Sequence, residues 1–104
     1  ERFDDGDVDD IRSMLFEARR NPSIDRIYFN GVSIPPSLPV IETGNLEALN
    51  RFMKNELGEG YYIAPLDRTE VVIDSNDRFQ IHYNQETVDK ISKKMASHLI
   101  EKVF

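Results

Sequence analysis

The chain has 104 residues, no cysteine, and 19 acidic against 13 basic residues, for a net charge of −6. That length holds one core, and the absent thiols exclude disulfide scaffolds, thiolate metal sites and cysteine nucleophiles while favouring a reducing, cytoplasmic setting or a domain of a longer protein. Its apolar runs, such as Tyr61–Pro65, are far too short to span a bilayer, so a membrane role is not expected.

The acidity is local. Residues 1–10 hold six acids and one base, whereas residues 11–104 hold thirteen acids and twelve bases. The expected organisation is therefore a flexible acidic head over residues 1–6 and one α+β domain over residues 7–104. An acidic head disfavours nucleic acid and anionic surfaces as partners.

Val8, Ile11, Met14, Leu15 and Ala18 recur at helical spacing, so Asp7–Arg20 reads as an amphipathic helix. Aspartates before it and Arg19-Arg20 at its end suit the helix dipole, and Asn21-Pro22 stops it. Next, Ile27–Ile34 contains Asn30-Gly31, the preferred pair for a two-residue hairpin turn. That register sets Phe29 opposite Val32 and Ile27 opposite Ile34, all on one face. Pro35-Pro36-Ser37-Leu38-Pro39 reads as an extended connector, although its Pro-x-x-Pro spacing also suits an aromatic groove.

A second helix is expected from an Asn45 cap, with Leu46, Leu49, Met53 and Leu57 inward and Phe52 beside them. Gly58 or Gly60 ends it. Strands follow at Tyr61–Ala64, Glu70–Ile73 and Arg78–Tyr83, the last two joined through Ser75-Asn76-Asp77. A final helix spans Gln85–Phe104 behind an Asn84 cap, with Val88, Ile91, Met95, Leu99 and Val103 as its inner stripe. The predicted fold class is α+β, in the order α-β-β-α-β-β-β-α, with a mostly antiparallel sheet packed by helices.

Chemistry-bearing patterns are sparse. Asp5, Asp7 and Asp9 have the alternate spacing of a calcium loop, but Phe16 stands where the bidentate acid belongs, so capping explains them better. His82 and His98 have no partner implied by spacing, and Gly58-Glu59-Gly60 is too short to cradle phosphate. No catalytic residue, metal ligand or cofactor is expected.

Two surfaces exceed what a core needs. Phe16 points away from the inner stripe of the first helix, on the side of Arg12, Arg19 and Arg20, and aromatic side chains framed by arginines dominate interface hot spots. On the last helix Ala96, Ile100 and Phe104 form an apolar face beside the inner stripe, while Lys90, Lys93, Lys94 and Lys102 cover much of the remainder. The expected function is a non-enzymatic protein-binding or assembly module, with a protein partner or a second copy. One alternative is a small acidic chaperone or inhibitor that sequesters its partner. Another is nucleic-acid binding through Arg12, Phe16, Arg19, Arg20 and Arg26.

Overall fold

The structure is a computed structural model that describes residues 3–78 and 82–103. Its first helix, α1 (Asp5–Arg20), begins two residues before the expected start because Asp4 and Asp7 cap it reciprocally. The Asp7 amide donates to Asp4 Oδ1 at 3.1 Å, and the Asp4 amide donates to Asp7 Oδ2 at 3.0 Å. Part of the expected flexible head is thus helical. Phe3, just ahead of it, packs its ring 5.7 Å from that of Phe52 and donates its amide to Asn45 Oδ1.

The sheet differs from the expectation. Strand β1 (Phe29–Asn30) pairs with β2 (Tyr62–Ile63) in parallel, Phe29 opposite Tyr62 and Asn30 opposite Ile63. Helix α2 (Val40–Leu57) forms the crossover between them. The order among the described residues is α1-β1-α2-β2-α3, so the mostly antiparallel sheet of the α-β-β-α-β-β-β-α expectation does not form.

No hairpin forms at Asn30-Gly31 because non-local partners capture the Gly31 amide and the backbone groups of Val32. The Gly31 amide donates to the Ile63 carbonyl at 2.8 Å. Both backbone groups of Val32 are held by the Asn50 carboxamide, N–H to Oδ1 at 2.8 Å and Nδ2 to the carbonyl at 3.0 Å. Ser33 and Ile34 are buried, and Ser33 Oγ accepts the Leu66 amide. Of the glycines only Gly58 has a positive φ, so Gly31 is not in the left-handed conformation of the expected turn.

Helix α2 starts at Val40 behind Pro39, five residues before the expected Asn45 cap, and Gly58 ends it with φ of 89°. Its most buried positions are Thr43, Asn50 and Met53. The inward face is therefore rotated from the Leu46–Leu49–Met53–Leu57 stripe toward a polar pair, which serves backbone: Asn50 as above, and Thr43 through its hydroxyl to the Leu38 carbonyl.

The expected strand at Glu70–Ile73 is replaced by a 3-10 turn over Arg68–Glu70, capped by Asp67. The Ser75-Asn76 turn does fold the chain back, but among the described residues the pairing is one antiparallel bridge, Ile73 to Tyr83. Residues 79–81 of the expected last strand lie outside the described residues. Helix α3 (Gln85–Val103) starts behind Asn84 as expected, with Asn84 Oδ1 accepting the Thr87 amide at 2.9 Å. Thr87, 1% exposed, links α3 to both backbone groups of Val72.

A small core results. Leu15, Ile34, Met53, Ile63, Leu66 and Val71 are its buried apolar residues, with Ser33, Thr43, Asn50 and Thr87 as buried polar ones. The radius of gyration is 15.1 Å and the extents are 43 × 35 × 20 Å. A compact chain of this length has a radius near about 13 Å. The molecule is a slab, and a slab of this size leaves apolar side chains uncovered.

Candidate functional site

Within the expected α1 cluster Arg12 and Phe16 line one shallow hollow with Asp9, Ser13 and Glu17, but their partners differ. Phe16 is 61% exposed, and the Arg20 guanidinium lies 5.5 Å from its ring centroid while reaching Glu17 at 3.2 Å. Arg12 reaches across the surface to α2. Its Nε and Nη2 both donate to Glu56 Oε1, at 3.0 and 2.9 Å, and its guanidinium lies 5.4 Å from the Phe52 centroid. Arg12 therefore clips α1 to α2. An exposed ion pair of this kind contributes little alone, but its guanidinium also covers Phe52.

Arg19 opens on a different hollow, of about 230 Å³, which it lines with Arg26, Asp25, Ile24, Leu57 and Tyr61. Tyr61 packs at a tilt against Tyr28, ring centroids 5.4 Å apart, and Tyr28 meets His98 edge-on at 6.1 Å. Arg26, considered from sequence only for nucleic acid, is thus beside Arg19 and next to an aromatic row. Helix order along the chain gives no sign of that row, because it joins the residue before β1, the 3-10 turn Glu59–Tyr61 before β2, and α3.

On α3, Ala96 and Ile100 are exposed, Ile100 at 62%, while Phe104 lies outside the described residues. The inner face of α3 holds Thr87, Ile91, Met95, His98 and Leu99, whereas Val88 of the expected stripe is 40% exposed. Sequence reasoning missed a third apolar site. Val40 and Ile41 are 87% and 73% exposed, because the early start of α2 places them on its solvent-facing first turn.

The side chains of His82 and Asp67 have local partners. His82 Nδ1 lies 3.1 Å from Asp77 Oδ2, and the same carboxylate accepts the His82 amide, which closes the turn before α3. Asp67, capping its 3-10 turn, is held below the usual carboxylate range by the side-chain and backbone hydrogen bonds from Thr69. Among the described residues no group of three or more His, Asp or Glu is placed to hold a metal ion, and no helix is long and apolar enough to cross a membrane.

Burial raises the Tyr83 hydroxyl above its ordinary pKa of 10.0, and the neutral hydroxyl donates a hydrogen bond to the Ser33 carbonyl. The protonated hydroxyl is the form that makes this bond. The stabilisation is complete below pH 10 and is lost as pH rises through the raised folded-state value. In thermal melts across pH 8–12, Tyr83→Phe is expected to be less stable at pH 8 and to show a shallower alkaline decline. Parallel curves would remove Tyr83 from that decline.

Comparison with protein-family models, with curated proteins and with solved structures finds no match to this chain.

Proposed function

We propose that this chain is a non-enzymatic protein-binding or assembly module that contacts its partner through the outer faces of its helices. One observation carries the reading. Among the described residues nine large apolar side chains are at least 40% exposed, while only six form the buried core. Isolated exposed apolar residues are ordinary, but here they accompany a slab-shaped chain and include Met14 and Phe16 on α1 and Ile100 on α3. Phe16 under Arg20 has the residue types that anchor interfaces. Nucleic-acid binding through Arg12, Phe16, Arg19, Arg20 and Arg26 has less support, because Arg12 and Arg20 already face Glu56 and Glu17.

The test is a pair of substitutions, Phe16→Ala and Ile100→Ser, alone and together. Each should leave unfolding free energy within about 1 kcal/mol, as surface changes do. The double variant should lose the wild-type chain's concentration-dependent mass increase in sedimentation, or the proteins that the wild type retains from a lysate. Retention of the same proteins, or of the same association, by wild type and double variant would refute the helix-face reading. So would a melt lowered by about 3–5 kcal/mol, which would return Phe16 to the core.

A further inference from the structure

A parallel sheet of two short strands is below the size at which sheets are usually complete. The outer edge of β2 shows what is missing. The bond from the Gly31 amide to the Ile63 carbonyl sets the ladder's alternation, so Ile63 turns its backbone groups toward β1. Tyr62 and Ala64 therefore turn theirs to the opposite edge. Along that edge the Gly60 carbonyl accepts from His98 at 2.9 Å, and just beyond the strand the Pro65 carbonyl accepts from Lys94 at 2.9 Å. Between those two capped positions the Tyr62 carbonyl and the Ala64 amide have no partner among the described residues, and Ala64 is exposed.

This gap opens on a hollow of about 440 Å³ between the end of α2 and α3, with Tyr62, Ile63 and Ala64 among its lining. We propose that the hollow receives an extended segment of a partner protein, which adds to the outer edge of β2 as a third strand. A carbonyl at one residue and an amide two residues on match the N–H and C=O of a single residue in a parallel strand. The charges favour a peptide backbone over a polyanion, since Lys54 and Lys94 in the walls are balanced by Glu59 and Glu101. The proposal rests on the protein-binding reading and adds a contact on a strand edge to those on the helix faces.

The probe is a phage-displayed library of random twelve-residue peptides, selected on the wild-type chain and followed by amide exchange of the complex. Enriched peptides are expected to slow exchange of the Ala64 amide at least tenfold. They should bind Ala64→Pro, which lacks that amide, at least tenfold more weakly, and bind Phe16→Ala unchanged. The exchange measurement on the wild type stands even where Ala64→Pro fails to fold. Peptides that leave Ala64 unprotected and depend on Phe16 would overturn the strand-edge site while leaving the protein-binding reading intact. A selection that enriches no peptide would overturn the strand-edge site as well, and the Phe16 and Ile100 variants would then decide the broader reading on their own.

Discussion

Gly31→Ala is expected to destabilise the fold by about 1–3 kcal/mol, the range for overpacking a filled site. A methyl group there would sit 2.5 Å from Tyr62 Oη, 3.0 Å from Tyr62 Cζ and 2.7 Å from Pro65 Cδ. The Tyr62 hydroxyl could swing aside, but the Pro65 ring is tied to the backbone and cannot. Glycine stands here because β2 and the chain after it pass too close for a side chain, not because the backbone needs a positive φ. Two variants separate the explanations in denaturant melts. Gly31→Asn should be at least as damaging as Gly31→Ala, since asparagine tolerates the left-handed region but fills the same space. Tyr62→Ala combined with Gly31→Ala should recover part of the loss. A harmless Gly31→Asn would restore the turn explanation.

Asn50→Leu should be the most damaging change in α2, costing about 2–5 kcal/mol, because two backbone groups of Val32 would lose their partners together. Asn50 is 8% exposed, so water does not readily replace it. Asn50→Asp is the informative companion. A carboxylate can still accept the Val32 amide but opposes the Val32 carbonyl, so the loss should ease at acidic pH, where the protonated acid can donate. Chemical denaturation at pH 4 and pH 7 reads this directly. Equal losses at both values would mean that the carboxamide's shape, not its donor, secures the loop.

These two sites show where the sequence was legible and where it was not. Helix α3 was readable because its signals are local: Asn84 caps through the amide of Thr87, three residues on, and the exposed Ala96 and Ile100 lie off the inner stripe as the spacing implied. The end of α1 at Asn21-Pro22 was readable for the same reason. The Asn30-Gly31 hairpin failed because a strong local turn preference competed with partners far along the chain, Asn50 and Ile63, which no pattern in residues 26–34 reveals. Asn45 misled in the same way. It has the chemistry of a cap but sits inside α2, where its side chain accepts the Phe3 amide across 42 residues. At the candidate surfaces, angular position set Phe16 and Ile100 off the inner stripes of their helices, where both are exposed, yet it could not show that Arg12 turns toward Glu56.

The parallel pairing of β1 and β2 also orders the events of folding. No tight turn can join parallel strands, so the two edges meet only after the whole crossover has been laid down. Ser33 and Leu66, which tie the loops beyond the strands, are 33 residues apart. Closing so long a loop costs chain entropy before any sheet hydrogen bond forms, whereas the capped turns of α1 and α3 form from neighbours alone. Helix α2 shortens that search by acting as a stiff strut of 18 residues, bringing Asn50 to Val32 and the end of β1 to the start of β2. The sheet is then the last part assembled and depends for its timing on a helix that has no side-chain cap at its own start.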